Sequence, residues 1–303
     1  MINYSIIIPH KNIPDLLERC LQSIPKRDDV QVIVVDDDSD NPPRHCGLDS
    51  QSFELSGDCG FRRNDDGVEF IFAKDQKRCG AGYARNIGME HAKGKWLVFA
   101  DADDFFLPAF DEALNEYKNN DSDIVFFMAS SVNADTLEPN KWNLTLNRLL
   151  AKAKRTQNYD LLIDVNVPWG KFFKRDFILK NDLHFQEVRY ANDFLFAVKT
   201  AFYARTVSIS EQSIYCYVIR PDSLHGRRTL KSLLVRFDVV CGGIKFLKPS
   251  GKEEYVIKDL DGAWYEILGM NKVVGACCML KIIFRFGLSF AYKYYLKKLV
   301  KKI

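Results

Sequence analysis

Trp96-Leu97-Val98-Phe99-Ala100-Asp101-Ala102-Asp103-Asp104 is an apolar run of strand length that ends in three carboxylates. A strand this apolar is buried on both faces, and acids gathered at its end need a cation to hold them together. Two carboxylates one residue apart at a strand end both reach a hard divalent ion. Mg²⁺ or Mn²⁺ is typically held by one or two such groups, with substrate phosphates completing the shell. The stretch reads as a metal site that carries a phosphorylated substrate; the bland alternative is a solvated acidic turn.

Working outward, a helical pattern from about Ala81 to Ala92 stops at Gly94, a suitable C-cap, and Val68 to Ala73 forms a strand before it. Tyr4 to Ile8, closed by Pro9, and Val30 to Val35 are two more apolar strands. The second ends in Asp36-Asp37-Asp38-Ser39-Asp40. Between them Leu16, Leu17, Cys20, Leu21 and Ile24 recur at helical spacing. Residues 41–67 read as a long loop. Downstream the pattern predicts a helix from Pro108 to about Lys118 and a strand from Asp123 to Phe127. It then predicts a helix over Trp142 to Lys154, an extended stretch over Leu161 to Val167, and helices over Arg175 to Lys180 and Asn192 to Tyr203. Short strands over Val207 to Ser210 and Ile214 to Val218 follow. Alternating strands and helices, with strands apolar throughout, predict an α/β fold with a mainly parallel central sheet flanked by helices. Ligands bind such a sheet beyond the carboxyl ends of its strands, where both acid clusters fall. Sheet signals give way to helical ones after that. We expect a domain over 1–226 and a helical, basic extension over 227–303.

The 303 residues are 47% hydrophobic and 27% charged, enough for one large core or two modest ones, and the net charge of +3 argues against general nucleic-acid binding. The charge is uneven. Asn271 to Ile303 holds eight Lys or Arg and no acid, leaving a body of 35 basic against 40 acidic residues. In that tail Lys281, Arg285, Lys293, Lys297, Lys298, Lys301 and Lys302 interrupt Ile282, Phe284, Phe286, Phe290, Tyr294 and Leu296. No uncharged apolar run approaches the roughly 18 residues that span a bilayer. The tail is expected to lie as a basic amphipathic helix on an anionic membrane surface, the alternative being a helix packed on the rest of the protein. The start lacks a basic n-region and a long apolar run, so the expected place is the cytoplasm, peripheral on the inner face of the membrane. Eight cysteines without a CxxC pair indicate neither a zinc site nor a disulfide framework.

Gly80-Ala81-Gly82-Tyr83-Ala84-Arg85-Asn86-Ile87-Gly88 invites comparison with a dinucleotide fingerprint, but its third glycine is misplaced and Lys74 to Cys79 separate it from the strand. What remains is a glycine-containing entry to a helix N-terminus beside Arg78 and Arg85, a setting for diphosphate oxygens or a plain loop with a surface arginine.

Four stretches together, Ser5-Ile6-Ile7-Ile8-Pro9-His10-Lys11-Asn12, Val34-Val35-Asp36-Asp37-Asp38-Ser39, Ala84-Arg85-Asn86-Ile87-Gly88 and Phe99-Ala100-Asp101-Ala102-Asp103-Asp104, resemble family 2 glycosyltransferases of the GT-A fold in order and spacing. The resemblance continues through Val167-Pro168-Trp169-Gly170-Lys171-Phe172-Phe173-Lys174 and Asn192-Asp193 and fades after about Arg228. It implies that Pro9 and its neighbours, with Asp37, line the nucleotide base and ribose. Asp101 and Asp103 fall on the family's DxD, Asp103 as the metal ligand and Asp101 nearer the ribose. Asp193 falls on the catalytic base. Three positions depart from the family pattern: Asn192 where Glu is frequent, His10 where Tyr or Arg is usual, and Asp38 where Gly is common.

The implied activity is metal-dependent, inverting transfer of a hexose from a nucleoside diphosphate sugar, most simply a UDP-sugar. The acceptor would be a glycan or lipid-linked hydroxyl in cell-surface polysaccharide synthesis, with Mn²⁺ or Mg²⁺ as cofactor. Such transfer needs a carboxylate to take the acceptor proton and a metal to neutralise the departing diphosphate, and Asp193 and Asp103 fit those needs. Asp193 also reads as a plain helix N-cap. His225 is a loop candidate for the metal or diphosphate, and Arg227 or Arg228 for phosphate. Trp169 and Trp142 read as sugar platforms or as core, Trp142 preferably as core. The alternatives are a sugar-phosphate nucleotidyltransferase, which favours a glycine- and lysine-rich loop after the first strand, and a non-catalytic sugar-nucleotide or glycan-binding scaffold.

Overall fold

A computed structural model of the chain describes residues 1–40, 59–63 (backbone only), 67–73, 80–220 and 228–296. They fall into two compact units, Met1–Pro221 and Asp222–Ile303.

The first unit is built on β1 (Tyr4–His10), which pairs in parallel with β2 (Val30–Asp37) on one side and β5 (Trp96–Phe99) on the other. Proline is tolerated at Pro9 because β5 pairs only with Tyr4 to Ile7, so no ladder bond on that side asks for its missing N–H. β4 (Glu69–Ala73) pairs in parallel with β2, and β3 (Cys59–Arg63) runs antiparallel at its outer edge. That last strand lies in the segment read from sequence as a loop. Among the described residues the sheet has nine strands, completed by β6 (Phe105–Phe106), β7 (Ile124–Asn133), β8 (Lys171–Lys174) and β9 (Val207–Ile219), in the order β3-β4-β2-β1-β5-β8-β7-β9-β6.

The expected parallel sheet is the β4-β2-β1-β5 half. Beyond β5 the sheet is mixed, because β8 enters antiparallel to both β5 and β7. Two further expectations change. Val207 to Val218 forms one long strand rather than two, with register shifts against β7 around Met128 and Ser213 where the polar Glu211-Gln212-Ser213 sits. Residues expected as extended begin with a 3-10 helix, Tyr159–Asp164, because the Asn158 side chain accepts the Asp160 N–H and closes a turn there.

Side chains alternate between two cores, as a pleated sheet demands. Ile6, Ile8, Val34, Trp96, Val98 and Phe172 face α1 (Pro14–Gln22) and α3 (Ala109–Tyr117). Ile7, Ile33, Val35, Leu97, Phe99 and Phe173 face α2 (Ala81–His91), α4 (Leu144–Thr156), α5 (Arg175–Lys180) and α6 (Phe194–Tyr203). Phe99 meets Phe173, Phe185 and Phe196 edge-on at 5.0–5.7 Å, within the range such ring pairs prefer. The strand that ends in the acids is therefore clamped on both faces, which fixes where Asp101 emerges.

The second unit is helical: α7 (Leu230–Leu247), α8 (Glu254–Met270), α9 (Lys272–Phe286) and α10 (Leu288–Ala291). Thr229 and Ser232 form a reciprocal capping box at the start of α7. α9 packs on α8 at Gly275, which lies against Leu268 and whose carbonyl accepts the Trp264 indole N–H at 2.9 Å, and Gly275, Cys278, Ile282 and Phe286 are its buried residues. Among the described residues no helix is long and apolar enough to cross a membrane.

Candidate active site

The carboxyl ends of β1, β2 and β5 meet at one edge of the sheet, and the acids of the sequence lie along it. His10 is buried, with its Nδ1 2.7 Å from Asp36 Oδ2 while its Nε2 accepts the Ile13 N–H. This bonding assigns the neutral tautomer with the proton on Nδ1. Asp36 also accepts from the Ser39 backbone and hydroxyl, so it braces the turn and does not face a ligand. Asp38, where the family commonly has Gly, takes the left-handed conformation at φ 55°, one that aspartate tolerates better than most residues. Asp37 turns the other way. Both its carboxylate oxygens sit 3.0 Å from the Gly80 N–H at the start of α2, and Lys11 lies 3.7 Å off. Burial pushes its carboxyl up from the usual range, against the pull of Gly80 and Lys11.

The three acids after β5 have separate environments. Asp101 is tied at 2.5 Å to Arg85, whose other terminal nitrogen donates to Asn192 Oδ1 at 2.9 Å. Burial raises the Asp101 carboxyl, Arg85 opposes it, and the charges of Asp103 and Asp193 add to the rise. Asp103 is held by the Arg220 guanidinium, with Nε at 2.9 Å, while Arg19 donates to its backbone carbonyl at 2.5 Å. Asp104 is fully buried. It accepts the Val218 N–H at 2.7 Å and the Tyr215 hydroxyl at 2.8 Å, and that hydroxyl in turn accepts the Asp101 N–H. Burial first, then Asp103 and Asp101, drives the Asp104 carboxyl well above the usual range. Asp104 is thus a structural acid that locks the loop to β9.

Carboxylate oxygens of Asp101, Asp103 and Asp104 lie within 4.8 Å of one another. With Asp104 committed to Val218 and Tyr215, the pair that fits a divalent ion is Asp103 and Asp101. Both are partly exposed and both already attract a guanidinium, so the site is one that calls for positive charge.

The segment opposite is pinned to α2. Asn86 donates to the Phe185 carbonyl at 3.0 Å and accepts the Phe185 N–H at 2.9 Å, and Arg85 holds Asn192. The approach is close enough that a Cβ on Gly82 would lie 2.1 Å from the Gln186 carbonyl oxygen and 2.9 Å from Asn192 Cβ, so only glycine fits. Ala191 sits at φ 53°, a left-handed strain of the kind retained at functional turns, and Asp193 follows at the head of α6. Asp193 stands at the N-cap position as the sequence allowed, but its carboxylate makes no capping hydrogen bond.

Beneath this turn Lys171 is buried, donating to the Val165 and Val167 carbonyls at 2.8 and 2.6 Å, with its ammonium 5.0 Å from the Phe126 ring centroid. Burial pulls its pKa down from 10.5 to about 7, with the Asp193 charge opposing. Between those two values the unfolded chain holds a proton that the folded chain has shed, so this group makes unfolding free energy rise with pH from about 7 to 10.5. Lys171→Met is expected to flatten that limb by an amount on the order of a few kcal/mol, read from urea unfolding at about pH 7 and about pH 9. An unchanged slope would remove Lys171 as its source.

Of the residues expected from sequence, Asp37, Arg85, Asp101, Asp103 and Asp193 lie on this edge or in the turn facing it, and Pro9 is buried in β1. Arg85, expected at diphosphate oxygens, is 4% exposed and divided between Asp101 and Asn192; it organises the site from inside. Arg78, His225 and Arg227 lie outside the described residues, and Arg228 pairs with Glu266 in the helical unit. Trp142, expected in the core, is 37% exposed, because it caps an aromatic column in which Tyr217 lies 4.4 Å from it and the buried Trp169 stacks on Tyr217 and Tyr215. Arg220 and Tyr215 were not foreseen as site residues; the only signal was that Arg220 ends the run before Pro221.

A model of the family described as glycosyl transferase family 2 matches residues 5–180. The chain is 27% identical over 230 residues to the uncharacterized glycosyltransferase EpsJ of Bacillus subtilis, covering 73% of this chain and 62% of that protein. It is 26% identical over 236 residues to the poly(ribitol-phosphate) beta-glucosyltransferase of Bacillus spizizenii, covering 73% of this chain but 33% of the relative. The fold is similar to that of Staphylococcus aureus TarS 1–349, solved in complex with UDP-GlcNAc, with a TM-score of 0.61 at 18% identity over 93% of this chain and 76% of that one. The mixed sheet with acids beyond its parallel strands is accordingly the GT-A fold. With more than half its length matched by one family model, the chain belongs to glycosyl transferase family 2.

Proposed function

We propose that the chain is a metal-dependent, inverting glycosyltransferase that moves a hexose from a UDP-sugar to a hydroxyl of a glycan or lipid-linked acceptor in cell-surface polysaccharide synthesis. One observation carries the reading. Arg85 bridges Asp101, on the donor side, to Asn192, the neighbour of Asp193 in the facing turn, so the two sides proposed for a transfer site share one network. Support for a UDP-sugar comes from the fold shared with a protein solved with UDP-GlcNAc, and for a polymeric acceptor from the name of the Bacillus spizizenii relative.

In this scheme Pro9 and Asp37 border the nucleotide, and Asp101 lies toward the ribose. Asp193 takes the acceptor hydroxyl proton as that oxygen attacks the anomeric carbon, and the sugar–phosphate bond breaks with its electrons going to the diphosphate. A Mn²⁺ or Mg²⁺ ion on Asp103 and Asp101 would neutralise that leaving group. Arg220 keeps the Asp103 carboxylate paired and pointed along the same edge.

Thermal unfolding with UDP-hexoses and GDP-mannose, each with and without Mn²⁺, tests the proposal, since a ligand that binds only the folded chain raises its midpoint. A UDP-sugar with Mn²⁺ is expected to raise the midpoint of the native chain and not of Asp103→Asn. No shift with any donor overturns the reading.

A further inference from the structure

α9 has two apolar faces, and among the described residues only one of them is packed. At about 100° per residue, Gly275, Cys278, Ile282 and Phe286 fall together on the side buried within the helical unit. Val273, Cys277, Leu280 and Phe284 fall within roughly 60° of one another on the opposite side. There Val273 is 73% exposed, Leu280 55% and Phe284 89%, and past the Gly287 break Leu288 is 63% exposed and Tyr292 56%. A stripe of large apolar side chains this open along four turns is not a scatter of single exposed residues. Lys281 and Arg285 border it on one side and Lys272 on the other, with Lys293 following Tyr292. Asp238 of α7, paired with Arg285 at 3.0 Å and Lys281 at 3.8 Å, is a single negative charge between two of them. From Asn271 to the last residue the sequence holds no acid at all.

We propose that this stripe is a membrane-docking face, in which Val273, Leu280, Phe284 and Leu288 enter the headgroup boundary of an anionic bilayer while the flanking cations meet lipid phosphates. A second copy of the chain fits the stripe less well. A two-fold interface sets the same patch against itself and would bring the lysine and arginine borders of two copies together. Lipid supplies apolar depth and negative charge at once, the two things this face lacks. The inference does not depend on the transfer reaction, since no residue in it belongs to the candidate site.

Co-flotation of the full chain tests it, with vesicles of phosphatidylcholine alone and of phosphatidylcholine with about one third phosphatidylglycerol. The native chain is expected to float with the anionic vesicles, less so as salt rises, and to float poorly with the neutral ones. Leu280→Ser with Phe284→Ser is expected to lower that recovery at least about tenfold. Both side chains are exposed, so an unchanged circular dichroism melt should accompany the loss; Val273→Ser with Leu288→Ser is a second pair that should act the same way. Equal recovery of native chain and variants, or a native chain that never floats, overturns the proposal. So does a dimer in sedimentation that the same substitutions dissociate, which would assign the face to a second copy.

Discussion

Asp193→Asn is expected to lower turnover by about 10²- to 10⁴-fold, the contribution of a positioned general base, while donor affinity stays within about twofold of native. The two halves of that expectation rest on different observations. The carboxylate makes no bond that caps α6, so an amide of the same shape leaves the helix start intact. The turn is held by Asn192 on Arg85 and by the Asp193 backbone carbonyl accepting from Ala197, neither of which the substitution touches. What the amide loses is the ability to take a proton. Single-turnover transfer to an acceptor, with donor affinity measured by calorimetry on the same protein, separates the two. Near-native turnover would remove Asp193 from the chemistry. A matched loss of donor affinity would turn it into a donor-binding group.

The half of the fold that was legible in the sequence is the half in which a strand is buried on both faces. Ile6 to Ile8, Val32 to Val35 and Trp96 to Phe99 announce themselves because every residue is apolar, and acids at the ends of the last two mark the carboxyl edge. β8 and β9 were harder to read for physical reasons. Lys171 and Lys174 make β8 look like loop, yet the first is buried through carbonyl partners that only the fold supplies. The polar Glu211-Gln212-Ser213 splits β9 in sequence while a register shift absorbs it in space. Asp104 had no assignable role in the sequence, because its partners Tyr215 and Val218 are more than 110 residues away; Arg220 on Asp103 is 117 away. Trp142 was misjudged because a tryptophan on a helical pattern resembles core until the column beneath it is seen. The motif Ala84-Arg85-Asn86 was visible as a motif. That both polar side chains face inward to hold Phe185 and Asn192 was not, since helical periodicity assigns such residues to the solvent side.

Arg85→Met is expected to be the most destabilising single substitution at the site, by about 3–5 kcal/mol in urea unfolding, the range seen when one partner of a buried ion pair is removed. Methionine keeps much of the apolar volume against Phe185, whose ring centroid lies 5.2 Å from the guanidinium, so the loss is chiefly electrostatic. Asp101 would be left beside Asp103 and near the charge of Asp193 with no counter-ion of its own among the described residues, in surroundings that already push its carboxyl up. Asn192 would lose its donor while 8% exposed, with an amide oxygen that water scarcely reaches. Pairing the substitution with Asp101→Asn removes the stranded charge. The double variant should therefore lose less than the sum of the two singles, by roughly 1–3 kcal/mol. Additive losses would mean that Arg85 stabilises the chain without its pairing to Asp101, through its packing and its bond to Asn192. Its bridge from the DxD acid to the turn that carries Asp193 would then be incidental.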